Sequence, residues 1–210
     1  MKLTKSLDEI LGNRTRVATL RTLFKYPGEF AGRHIARLSR LPQANVHKQL
    51  QVLADNHVLV YKYVGNSKVF SLNTEFILYE SLKELFKAEE GVLPQIEESI
   101  RRALRGNRYL RKHIVHGSTY GSVARHEENV GSDIDLLLLT DVPDIKKKIS
   151  EKLEDLSDHI LTVSGMTVHP YIRSVEEFMS ENPALIQEAK SSQRLLTGKR
   201  IEELEREWRK

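Results

Sequence analysis

The feature that most limits what this chain can become is the run Gly131-Ser132-Asp133-Ile134-Asp135-Leu136-Leu137-Leu138-Leu139. It reads as a β-strand whose entrance holds two carboxylates. Residues two apart on a strand point to the same face, so Asp133 and Asp135 can grip one cation while Ile134 and Leu136 face a core. Two aspartates held side by side repel each other unless a cation or a proton intervenes. Oxygen ligands without a His or Cys partner favour Mg²⁺ or Mn²⁺ over zinc.

The segment ahead of it, His113 to Arg125, starts as a strand and turns on small residues. Gly121-Ser122 is the informative pair. Backbone amides reach a triphosphate only where no side chain intrudes, and a serine hydroxyl adds one more donor. A second pair, Gly117-Ser118, precedes the same aspartates, but its serine lies fifteen residues before Asp133 instead of eleven, and it lacks the Val123-Ala124-Arg125 continuation. Gly121-Ser122 is therefore the preferred bend. The combination suits transfer of a nucleotidyl group, in which the protein supplies position and countercharge. The plainer alternative is a β-turn and a buried strand with two solvent-facing aspartates.

Tyr120-Gly121-Ser122-Val123-Ala124-Arg125, followed after a polar loop by Ser132-Asp133-Ile134-Asp135-Leu136, resembles the signature of the minimal nucleotidyltransferases of the DNA polymerase β superfamily. That family opens the motif with a hydrophobic residue, Gly-Ser and an Ala-Arg pair, and closes it with Ser-Asp-x-Asp and leucines. The resemblance implies that Asp133 and Asp135 bind Mg²⁺ or Mn²⁺ and carry the catalysis. It implies that Gly121 and Ser122 contact a nucleoside triphosphate, ATP being the expected one, and that Arg125 and Ser132 shape the loop or meet phosphate. The chain departs from the family in two places. His126 stands where relatives usually have glycine. Relatives that transfer nucleotides carry a third carboxylate on a later strand, yet the candidate strand Met166 to Ile172 has no Asp or Glu. The base that activates an attacking hydroxyl is then missing or comes from the substrate. His169, on that strand, lies near the metals or is a partly buried strand residue.

The formal charge of +4 hides a split: residues 1–75 carry twelve Lys/Arg against five Asp/Glu, and the remainder 21 against 24. A positive front part suggests a polyanionic partner for that part alone. Val17, Leu20 and Phe24 mark one face of a helix from Arg14 to Lys25, stopped by Pro27-Gly28. A short helix follows around Ile35 and Leu38. After Leu41-Pro42 a third stacks Val46, Leu50 and Leu53, ending at Asn56 in the left-handed conformation. Val58 to Val64 and Lys68 to Leu72 flank Gly65-Asn66-Ser67 as a hairpin. Three helices and a hairpin resemble the winged helix-turn-helix regulators, with the helix from Pro42 to Leu53 as recognition helix. The resemblance implies that Gln43, Asn45, His47 and Lys48 meet a major groove, that Lys62 and Lys68 on the wing meet phosphates, and that Arg33, Arg37 and Arg40 add backbone contacts. A protein-docking or dimerisation role is the alternative.

Leu78, Leu82, Leu85 and Phe86 form a helical stripe that Gly91 to Pro94 interrupt; a second helix carries Ile96, Ile100 and Leu104. A later helix carries Ile145, Ile149, Leu153 and Leu156. Ser174 to Glu177 has capping-box spacing, and Asn182-Pro183 starts a helix towards Gly198. The chain has no cysteine and no apolar run beyond four residues, so a cytoplasmic protein without a membrane span is expected. The reading is an α+β chain of 210 residues: winged helix-turn-helix at 1–75, helical connection at 76–93, nucleotidyltransferase-like mixed sheet flanked by helices at 94–210. Its expected partners are DNA, a nucleoside triphosphate, an acceptor that includes the option of a protein, and a second copy of the chain. The alternative function is a transcriptional regulator with a non-catalytic nucleotide-sensing domain.

Overall fold

A computed structural model of the chain describes residues 6–125, 127, 132–142, 145–180 and 183–209; His126, Gly131 and Asn182, named above, lie outside them. The chain is α+β and divides into two compact units, residues 1–91 and 92–210.

The first unit contains α1 (Ser6–Leu11), α2 (Arg14–Lys25), β1 (Phe30–Ala31), α3 (Gly32–Ser39), α4 (Gln43–Asp55), β2 (Leu59–Val64) and β3 (Ser67–Leu72). Asn13 caps α2 by accepting the Arg16 N–H at 3.1 Å, which satisfies one of the amides that a helix start leaves open. Leu20 and Leu23 of α2, Ile35 of α3, and Val46, Leu50 and Leu53 of α4 converge on one core with Phe70 of the hairpin. The three strands are antiparallel in the order β1-β3-β2, with Phe30 opposite Phe70. This is the winged-helix order, with one small strand that the sequence pattern did not reveal. The left-handed residue after α4 is His57 (φ 61°) and not Asn56, whose φ is −90°. The reversal comes one residue later because Asn56 still bonds back to Val52 through both its N–H and its side-chain amide.

Tyr79–Arg105 is one helix, α5, with Pro94 inside it, where the sequence suggested an interruption at Gly91 to Pro94. A mid-helix proline removes one N–H and crowds the preceding turn. Packing at both ends outweighs that cost: Leu82 and Phe86 sit in the first unit's core, and Ile96, Ile100 and Leu104 in the second's.

The second unit continues with α6 (Arg108–His113), β4 (Ile114–Tyr120), α7 (Gly121–Ala124), β5 (Ile134–Thr140), α8 (Lys146–Ser164), β6 (Val168–Ser174), α9 (Val175–Met179), α10 (Pro183–Ser192), β7 (Arg194–Gly198) and α11 (Ile201–Trp208). The mixed sheet runs β6-β5-β4-β7; β4 is antiparallel to β5 and β7, and β6 is parallel to β5. Alternation along β5 explains its leucines. Ile134, Leu136 and Leu138 face the cluster formed with Ile100, Leu104, Ile149 and Leu153, while Leu137 and Leu139 face Phe178, Ala189, Ile201 and Leu204. A central strand covered on both faces needs apolar residues at every position. The capping box at Ser174 and Glu177 is present. The helix expected to run to Gly198 ends at Ser192, because Arg194–Gly198 pairs with β4 as an edge strand and buries Leu196. No helix among the described residues is long and apolar enough to cross a membrane.

Candidate functional site

Antiparallel pairing of β4 and β5 sets Tyr120 opposite Asp135, so the bend that opens α7 at Gly121-Ser122 lies against the one carboxylate of β5. Gly121 has φ +75°, and a Cβ there would stand 2.4 Å from Asp135 Oδ2. Only glycine fits both the conformation and the contact. The Gly121 N–H donates to Ser192 Oγ at 3.1 Å, and Ser192 in turn donates to the Glu188 carbonyl at 2.8 Å, so α10 holds the bend from behind.

Asp133 immediately precedes β5 and leans towards β6. It accepts a hydrogen bond from the Thr167 hydroxyl, and His169 Nε2 lies 3.5 Å from its Oδ2. Parallel pairing places His169 opposite Asp135 as well. The imidazole therefore stands where the two acids, on neighbouring rungs, both feel it. Arg125 does not project freely: its Nε lies 2.9 Å from Glu127 and its guanidinium 3.7 Å from Glu188. Ser132 is half-buried beside Asp133.

Burial pushes the Asp135 carboxyl above the ordinary carboxylate range, and the charges of Glu188 and Asp133 push the same way, opposed by His169 and Arg125. Burial, then Asp135, Glu188 and Tyr171, push the Tyr120 phenol up to about 12. The Asp135 charge is thus disfavoured where it stands, and a cation would relieve it. Two carboxylates suit the protein share of a Mg²⁺ site whose other ligands are phosphate oxygens and waters. Among the described residues, no group of three His, Cys, Asp or Glu side chains is arranged to hold a metal ion by itself.

Gly117 and Ser118 lie inside β4; Ser118 is fully buried, with its Oγ 2.8 Å from His116 Nε2. Glu188 and Ser192 carried no sequence signal, because they sit on a helix more than fifty residues after the motif and only the tertiary fold brings them to it. Arg194 and Lys199 are both engaged by carboxylates: Arg194 pairs with buried Glu97 at 2.7 Å, and Lys199 with Glu207 at 2.7 Å.

In the first unit, Gln43, Asn45, His47 and Lys48 are exposed along α4, while Val46, Gln49 and Leu50 are buried. Arg33, Arg37 and Arg40 are exposed on and just after α3. The wing lysines are occupied: Lys62 pairs with Glu29 at 2.7 Å, and Lys68 donates to Gln51 at 2.7 Å while lying 3.6 Å over the Tyr61 ring.

Residues 97–196 match the family model described as the nucleotidyltransferase domain. No curated protein matches the chain. Among solved structures, a "predicted DNA-binding transcriptional regulator from E. coli" is similar at 15% identity and TM-score 0.35, over 41% of this chain and 85% of that one. The AntR antimony-specific transcriptional repressor is similar at 22% identity and TM-score 0.37, over 44% and 78%. A toxin-antitoxin structure with AMP-PNP is similar at 16% identity and TM-score 0.35, over 54% and 86%.

Proposed function

We propose that the second unit binds a nucleoside triphosphate with Mg²⁺ or Mn²⁺ on Asp133 and Asp135 and transfers its nucleoside monophosphate to a hydroxyl acceptor, and that the first unit binds DNA. The observation that carries the reading is the contact of the Gly121 bend with the Asp135 carboxylate, next to Asp133. In the reaction, the acceptor oxygen bonds to the α-phosphorus, the bond to the bridging oxygen breaks, and pyrophosphate leaves with the electron pair. The metal, when bound, neutralises charge on the phosphates and aligns them. Asp133 and Asp135 would hold it, the glycine bend lets the Asp135 carboxylate approach the backbone, and Ser122 would donate to a phosphate oxygen. The acceptor's proton passes to a base, and His169 is the imidazole facing both acids. The test is incubation with labelled ATP, CTP, GTP or UTP and Mg²⁺, scored for labelled product. Wild type no better than Asp133→Asn and Asp135→Asn would count against transfer.

A second reading follows from β6, where His169 and no acid stands opposite Asp135. There the second unit holds nucleotide and metal without turnover, and nucleotide adjusts the DNA affinity of the first unit. Linkage then requires DNA to change nucleotide affinity by the same factor. Equilibrium titrations in both directions that disagree would exclude such coupling.

A further inference from the structure

Between Glu98 and Glu127 the chain has no Asp or Glu but seven Arg and Lys. Arg105 closes α5, and Arg108, Arg111 and Lys112 stand exposed on α6, which turns only Leu110 fully inward. The start of α8 adds Lys148, whose Nζ lies 4.6 Å from the centre of the Tyr109 ring; that ring in turn lies 4.7 Å from the His113 ring. Among the described residues, none of Arg105, Arg108, Arg111, Lys112 and Lys148 meets a carboxylate. Their neighbours do: Arg101 and Arg102 share Glu98, and Lys146 pairs with Glu177 at 2.7 Å. Like charges one helical turn apart repel. Among the described residues the cluster has no carboxylate against it, and an external polyanion relieves that repulsion.

The cluster is separate from the nucleotide site. α6 leads into the first residue of β4, and His113 Nδ1 lies 2.9 Å from Asp141, just past the end of β5. Asp135 is at the other end of the same strand pair, opposite Tyr120. Seven residues of extended chain span roughly 20 Å, beyond the reach of a bound triphosphate.

We propose that this surface binds the phosphodiester backbone of a nucleic acid, as a second contact region independent of the winged helix. Three of its five cations are arginine, whose planar fork takes phosphate oxygens in pairs. Arg108, Arg111 and Lys112 follow one another within about one helical turn, 5.4 Å of rise, and present a row of charge. A membrane surface is a poorer fit, since of the apolar residues between the cations Leu110 is buried and the exposed Tyr109 ring lies against Lys148 and His113.

The test uses the full chain with a fluorescein-labelled 30-base-pair random duplex DNA and a 30-nucleotide RNA, read by anisotropy across a salt series. Arg108→Ala/Arg111→Ala/Lys112→Ala is expected to make the slope of log affinity against log salt shallower by about 2–3 on at least one probe; which probe responds separates DNA from RNA. The loss is expected to add to that of Lys48→Ala/Lys62→Ala. A control of equal charge, Lys83→Ala/Lys87→Ala/Arg209→Ala, should leave the slope within half a unit. Unchanged slopes on both probes overturn the proposal, as does an equal loss in the control. So does a variant that loses binding only to polyglutamate or to phosphatidylserine vesicles.

Discussion

Gly121 and Asp135 depend on each other, and substitutions at either separate the roles of shape and charge. Gly121→Ala forces a side chain into φ +75° and against Asp135 Oδ2, a strain of about 1–2 kcal/mol that urea denaturation should read. Mn²⁺-dependent nucleotide binding, followed by calorimetry, should fall with it, because Asp135 must move to admit the methyl group. Asp135→Asn tests charge at nearly constant shape. The folded carboxyl titrates above its ordinary value, chiefly through burial, so the folded chain holds that proton more tightly than the unfolded one. The resulting stability is fully present below the ordinary carboxylate range and is lost as pH rises through the raised value. Without added metal, Asp135→Asn should therefore melt higher than wild type at pH 7, and the gap should close as the pH is lowered below the ordinary carboxylate range. An Asp135→Asn protein that melts lower at pH 7 would contradict the charge argument.

At the level of elements, α5 and β7 depart most from the sequence pattern. Pro94 leaves the Glu90 carbonyl without its helical N–H donor, and interior prolines cost about 3 kcal/mol. Pro94→Ala should raise the denaturation midpoint of the chain. β7 is held to α5 by the Arg194 pair with Glu97, whose carboxylate also accepts from Thr119 of β4. Glu97 is 6% exposed. Removing its partner by Arg194→Ala leaves a buried charge short of compensation, at a cost of about 3 kcal/mol. The capping box at α9 is a smaller term; Ser174→Ala should cost about 1 kcal/mol, measured by the same urea titration.

At the scale of the whole molecule, charge is distributed by unit: residues 1–91 have 14 Lys and Arg against 9 Asp and Glu, and residues 92–210 have 19 against 20. If DNA binding resides in the first unit, affinity should fall steeply with salt, with Lys48→Ala flattening the slope by about one unit. Lys62→Ala should flatten it less, because Lys62 already spends its charge on Glu29. The basic surface around α6 shows why net charge per unit is a coarse guide. A unit acidic in sum still carries a local field of the opposite sign.

Much of this was legible in the residue order. The apolar faces of α2, α4 and α8, the hairpin, the capping box and the strand of four leucines follow from local periodicity and turn chemistry, which act over a few residues and need no knowledge of the rest. The pairing of the Gly121 bend with Asp135 was legible as a motif, because both flank one connection between adjacent antiparallel strands. Other features depended on contacts between distant segments: α5 staying whole through Pro94, Arg194–Gly198 leaving the helix for the free edge of β4, and Glu188 and Ser192 closing on the bend from α10. In each, burial or pairing against a remote element outweighed the local preference of the chain, and no spacing along the sequence encodes that balance.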